Sequence, residues 1–215
     1  MHIENIIKQL GTERPVFYSE ADFQHALAWE IHRRTPSAAV RLEINLGIGK
    51  RAMVDILVRD VHTNHAIEVK YKTAKLDAIC LGEEFRLLNH GAQDIGRYDF
   101  IRDVCRLEAF VDAYPNTIGY AILLTNDDNY WKETKRLTTA DAMFRLHDGC
   151  TLQGTLRWGA ATGKGTMKGR EDCLDLRGSY SVQWADYSEL DCKGPRKFRY
   201  VLLQVEKAAD VGSTR

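Results

Sequence analysis

Residues 53–72 read MVDILVRDVHTNHAIEVKYK. Met53–Val58 and Ala66–Tyr71 are short apolar runs of strand length, and Asp60–Asn64 (DVHTN) is the turn between them. Charges break both runs: Asp55 in the first, Glu68 and Lys70 in the second. A charge inside an apolar strand is costly unless it is paired or bound to a metal. Residues two apart point the same way, so Glu68 and Lys70 share a face that Lys72 continues, while Ile67, Val69 and Tyr71 take the opposite, core face. A hairpin with an even-numbered loop sets Asp55 directly opposite Glu68 or Lys70, so that two carboxylates and an ammonium meet on one face. Grouped oxygen ligands of this kind suit a hard divalent cation, Mg²⁺ or Mn²⁺, which keeps several waters and accepts phosphate oxygens. The lysine beside it can orient a water, lose its proton to one, or stabilise charge on a pentavalent phosphate. Taken alone, E-x-K in an exposed strand is commonly a solvated face. The aspartate in the neighbouring apolar strand separates this case from that one.

Upstream, Ser19-Glu20-Ala21-Asp22 places Ser19 as an N-cap with Asp22 at the third helical position, a weaker form of the capping box. Phe23, Ala26, Leu27 and Ile31 recur at helical spacing to about Arg34, and Pro36 closes the element. Glu20 precedes Phe23 by three residues and Leu27 by seven, which puts it on the stripe facing the core, where an acid needs a reason. Residues 1–18 are a short amphipathic lead-in ended by Gly11 and Pro15. Ala39–Leu46 (AVRLEINL) alternates apolar and polar residues as a strand does.

Downstream, a long helix is predicted from Gln93 to Tyr114, and the stretch from Lys75 to Asn89 is helix or irregular. Thr117–Thr125 (TIGYAILLT) is nearly uninterrupted apolar and reads as a buried strand bounded by Asn126-Asp127-Asp128. After residue 130 come five short strand candidates: Ala142–Leu146, Leu152–Trp158, Cys173–Leu176, Ser181–Trp184 and Phe198–Val205. They form an antiparallel extension open to continuing the first unit's sheet. No linker intervenes, so residues 1–207 are read as one domain with a core over 19–125, a β-rich extension over 130–207, and a frayed tail at 208–215.

In order and spacing these residues resemble the PD-(D/E)XK nuclease superfamily, the restriction-endonuclease-like proteins. That family has an α-β-β-β-α-β core with a mixed central sheet, a Glu on the first helix, an Asp in the second strand and (D/E)-x-K in the third. Glu20, Asp55 and Glu68-Val69-Lys70 match those positions over roughly residues 19–125. One departure is Val54, where many members carry proline. The resemblance implies an α/β (α+β) fold and Mg²⁺-dependent phosphodiester hydrolysis, with Mn²⁺ able to substitute. Asp55, Glu68 and the Val69 carbonyl would hold the metal, Lys70 would lie near the attacking water, and Glu20 would complete the metal shell or hold a bound water. Members often add polar residues from the next helix. Gln93, Arg97 and Tyr98 fall there, with Arg97 as a phosphate clamp or as a plain partner of Asp94 or Asp99, and Lys72 is the further substrate-binding candidate.

The remaining signals are exclusions. With 44% hydrophobic residues the chain is too apolar to be disordered, and no window holds eighteen apolar residues in a row. The N-terminus lacks a basic and then apolar leader, and five scattered cysteines without a C-x-x-C pair argue against a disulfide framework, so a cytoplasmic setting is expected. Thirty basic residues against thirty acidic give no net charge, so attraction to a polyanion has to be local. Gly159–Gly165 (GAATGKG) has three residues between its first two glycines where a P-loop needs four, and reads as a hairpin loop. Basic residues in that loop (Lys164, Lys168, Arg170) and in Lys193–Arg199 could touch a phosphate backbone, though basic turns are more often solvated. Trp131, Trp158, Trp184, Tyr187 and Tyr200 could stack on bases, but aromatics in a small sheet are usually core. No histidine spacing fits zinc. The expected partner is nucleic acid, DNA over RNA, with no membrane, in a possible homodimer or larger defence or repair assembly. The competing expectation is a catalytically silent module of the same fold that binds nucleic acid or a protein.

Overall fold

A computed structural model describes residues 1–45, 47, 53–136 and 138–207. Leu46, at the end of one predicted strand, and the predicted tail at 208–215 lie outside the described residues.

Helix α1 (Ile3–Glu13) buries Ile3, Ile6, Ile7 and Leu10. Gly11 does not end it. It is a helical residue pressed on the backbone near Tyr187, where an added Cβ would lie 2.6 Å from the Tyr187 carbonyl oxygen. Helix α2 (Glu20–Arg34) starts as its cap predicts: the Ser19 side chain accepts from the Asp22 N–H at 3.1 Å. Three strands follow, β1 (Ala39–Asn45), β2 (Met53–Arg59) and β3 (Asn64–Lys72).

The stretch expected to be helix or irregular is instead a hairpin, β4 (Leu76–Cys80) with β5 (Glu83–Leu87). Leu76 and Ala78 alternate inward against Phe85 and Leu87. The two-residue connection has φ of 52° at Leu81 and 82° at Gly82, the positive values that a tight hairpin demands. Helix α3 (Gln93–Ala113) then crosses back to β6 (Thr117–Thr125).

In the extension, Ala142–Phe144 is a 3₁₀ turn rather than a strand, with Phe144 fully buried and Met143 exposed. β7 (Thr151–Leu156) pairs with β8 (Leu174–Ser181), and their connection holds the one-turn helix α4 (Lys164–Met167). The strand expected at Ser181–Trp184 is instead a junction, where β8 ends and β9 (Trp184–Glu189) begins. β10 (Lys197–Val205) completes the chain's strands.

The protein is a mixed α+β structure around a six-stranded mixed sheet of order β1-β2-β3-β6-β10-β9. All neighbours are antiparallel except β3 and β6, which the α3 crossover makes parallel. So β9 and β10 do extend the first sheet, while β7 and β8 form a separate ribbon. One face, carrying Ile67, Val69 and Tyr71, packs on α1, α2 and the β4–β5 hairpin. The other packs on α3 and the β7–β8 ribbon. β6 is covered on both faces, which is why its sequence is continuously apolar.

Candidate active site

The turn between β2 and β3 holds four residues, since Arg59 pairs with Asn64. Ladder pairing runs up to Ile56 and Ile67, and the same register continued by one residue sets Asp55 against Glu68. There the two strands part. β3 stays paired with β6 along its whole length, so its other edge, facing β2, is left with open N–H groups. Two carboxylates take them: Asp55 Oδ2 accepts from the Val69 N–H at 2.8 Å and Glu20 Oε2 from the Tyr71 N–H at 2.9 Å. This explains the acid in the first turn of α2. Glu20 does not enter the core but lies half-exposed over the strand edge.

The face bearing Glu68 and Lys70 is covered by α3, so it is not a solvated row. Lys70 Nζ lies 2.9 Å from Asp103 Oδ2 and 3.7 Å from Glu20 Oε1, and donates to the Val69 carbonyl at 3.2 Å. Lys72 Nζ lies 3.9 Å from Glu20 Oε2. Glu68 is buried, and Arg106 Nη2 stands 2.9 Å from its Oε1 and 2.8 Å from Asp103 Oδ1. That contact is an ion pair without hydrogen-bond alignment, and neither Glu68 oxygen has a hydrogen-bond partner among the described residues.

The electrostatics follow from burial and crowding. Desolvation raises the pKa of Glu68, and Asp103 and Asp55 raise it further against a partial offset from Arg106. Burial likewise raises Asp55, opposed by the Val69 N–H and Lys70. For Lys70 burial favours the neutral amine, but Asp103 and then Glu20 outweigh it and hold the group as an ammonium.

Asp103 and Arg106 are the members that strand spacing does not disclose. A signal exists in α3, where Gly96, Phe100, Asp103, Leu107 and Phe110 are all buried at helical spacing. An acid on that stripe carries the same information as Glu20 does on α2.

The substrate candidates on α3 are placed elsewhere. Gln93 Nε2 donates to Asp127 Oδ2 at 2.7 Å. Arg97 pairs with Asp141, not with Asp94 or Asp99, and its guanidinium lies 5.4 Å from the Tyr130 ring centroid. Tyr98 is buried and stacked on Trp158, with its hydroxyl donating to the Asp172 carbonyl at 3.0 Å. The basic turns are largely paired: Arg170 with Asp99, Lys197 and Arg199 with Asp186, and Arg196 with Glu189. Trp158, Trp184, Tyr187 and Tyr200 are core residues.

Among the described residues, no group of three or more His, Cys, Asp and Glu side chains is arranged to hold a metal ion. The donor set on offer is smaller: the Asp55 and Glu68 carboxylates and the Val69 carbonyl. Mg²⁺ is commonly bound through one or two carboxylates with water filling the remaining positions, so this set fits such an ion. Glu68 has Arg106 as its ion-pair partner on Oε1, and neither of its oxygens meets hydrogen-bond geometry with a described residue. The chain matches no protein-family model, no curated protein and no solved structure.

Proposed function

We propose that the protein is a metal-dependent nuclease hydrolysing phosphodiester bonds in nucleic acid, DNA in preference to RNA, on a restriction-endonuclease-like core. The order α2, β1, β2, β3, α3 and β6, with the β4–β5 hairpin inserted between β3 and α3 and with β3 parallel to β6, supports the fold part of this reading. The observation that carries the chemistry is the convergence of the Asp55 carboxylate and the buried Glu68 carboxylate beside Lys70.

In this reading Asp55, Glu68 and the Val69 carbonyl hold Mg²⁺, and Mn²⁺ can replace it. The bound ion supplies charge stabilisation and a more acidic water. Lys70, with carboxylates at 2.9 and 3.7 Å, serves as a hydrogen-bond donor. It orients the attacking water and offsets charge on the phosphate rather than accepting a proton. Asp103 fixes that ammonium in place. Glu20 braces the β3 edge through the Tyr71 N–H and bears on both Lys70 and Lys72.

Cleavage of single- and double-stranded DNA and of RNA, with Mg²⁺ or Mn²⁺, tests the proposal. Asp55→Ala and Lys70→Ala should abolish it while the protein stays folded, and normal cleavage by both variants would overturn it. One observation favours a second reading, a silent binding module. Arg106 on Glu68 and Asp103 on Lys70 balance the charges internally. A silent module shows no change in melting temperature with Mn²⁺, whereas a metal site is stabilised by mass action.

A further inference from the structure

We infer that the cleft between the first two turns of α3 and residues 129–136 and 138–145 is a phosphate-binding site. It holds the sugar–phosphate backbone of the strand presented to Asp55 and Glu68. The inference rests on the nuclease reading for its ligand, but on different residues for its evidence.

The cleft has a volume of about 730 Å³, large enough for a nucleotide unit. Five cationic side chains line it against three carboxylates, on a chain whose overall charge is zero. Two of the cations are already used, Arg97 by Asp141 and Lys132 by Asp128. Among the described residues the other three, Lys135, Arg136 and Arg145, have no ion-pair partner. Arg145 is also held in position: its Nη2 donates to Thr139 Oγ1 at 3.0 Å and to the Arg136 carbonyl, both neutral acceptors. A guanidinium fixed by neutral groups keeps its full charge and its remaining donors for an anion, and loses little side-chain entropy on binding one.

The position of the cleft ties it to the candidate active site. A second cavity, lined by Lys72, His90 and Arg170 among others, shares Gly91 with it. Lys72 in turn contacts Glu20. The two cavities therefore adjoin at Gly91, and the second reaches Lys72 at the end of β3, beside Glu20. Among the described residues no aromatic side chain lines the basic cleft. Contacts there are to phosphate and sugar, and such contacts position a strand without reading its sequence.

The test compares wild type with a Lys135→Glu, Arg136→Glu double variant. Both residues are exposed and outside the metal and lysine cluster, so the variant should melt as wild type does. Binding of a fluorescently labelled DNA oligonucleotide is measured in EDTA across a salt series. The expected result is at least roughly tenfold weaker binding in the variant, with the slope of log affinity against log salt shallower by about one to two. The loss should be the same for unrelated sequences.

Equal affinity and slope in the two proteins would overturn the inference, while wild-type cleavage would still uphold the nuclease reading. Wild type that binds but does not cleave, with binding lost in the variant, upholds the cleft and counts against the nuclease. A melting shift with inorganic phosphate or a mononucleotide, lost in the variant, without oligonucleotide binding, makes the cleft a site for a free phosphate ester and overturns its assignment to a strand.

Discussion

Lys70 Nζ and Asp103 Oδ2 stand 2.9 Å apart, with the aspartate side chain 2% and the lysine side chain 16% exposed. A strand lysine and a helix aspartate thus form a nearly water-free pair beneath the Asp55–Glu68 carboxylates. Breaking one side of such a pair leaves the other charge only its remaining partner, Glu20 for Lys70 and Arg106 for Asp103, at a cost toward the lower end for buried pairs, about 3 kcal/mol. Asp103→Asn is expected to lower the melting temperature by on the order of 10 °C in a protein of this size. Lys70→Met should fall similarly, and the double variant by clearly less than the sum, with a coupling of about 1–3 kcal/mol. Additive losses in the cycle would show that the pair contributes nothing beyond its separate parts.

Glu68 supplies a prediction about pH. Its pKa is raised in the folded protein, by burial first and by Asp103 and Asp55 next. A raised carboxyl binds more protons folded than unfolded. Its contribution to stability is therefore complete below the ordinary carboxylate range and is lost as pH rises through the folded value. Metal-free wild type should lose stability relative to Glu68→Gln from about pH 5 up to the folded value of about 9, a range where an unperturbed glutamate is already ionised. Mn²⁺ should flatten the difference, because the ion takes the place of the proton. Parallel melting curves for the two proteins across that range would refute the argument.

Glu20 tests the account of the open strand edge. Its carboxylate accepts from the Tyr71 N–H at 2.9 Å where β2 no longer pairs with β3. Glu20→Ala leaves that amide without its acceptor, a loss of about 1 kcal/mol, and Glu20→Gln keeps a carbonyl oxygen in reach. Hydrogen exchange at the Tyr71 amide should quicken in the alanine variant and be near wild type in the glutamine variant. Equal protection in all three proteins would mean that another group satisfies the edge.

The legible parts of the fold are those with a local cause. Ser19 and Asp22 mark the start of α2 because a cap is a contact between residues three apart. Alternation in β3 tells Ile67, Val69 and Tyr71 from Glu68 and Lys70, since the pleat imposes it on every strand. The partners of those charges are set by tertiary packing. Asp103 reaches Lys70 from 33 residues away, and only its place on the buried stripe of α3 betrays it. Arg97 has acids within three residues but turns to Asp141, across the cleft formed by the later loop. The β4–β5 hairpin escapes the alternation test for a different reason. Exposed Ile79 and Leu81 fill positions where a polar residue would have exposed the period.

That hairpin carries the last prediction. Leu81 has φ 52° and is 76% exposed, so a non-glycine side chain adopts a left-handed conformation with no burial to offset it. The cost of that conformation for an ordinary residue is about 1–2 kcal/mol. Asparagine tolerates it, and Asn-Gly is the preferred pair for a two-residue turn of this geometry. Leu81→Asn is therefore expected to stabilise the protein by about 1 kcal/mol and raise its melting temperature by roughly 2–4 °C. Leu81→Val should move the other way, because a β-branched side chain is the worst fit to positive φ. The tip lies outside the catalytic cluster, so both variants should keep wild-type cleavage. If the asparagine variant melts no higher than the valine variant, backbone strain at the turn is not what limits the hairpin.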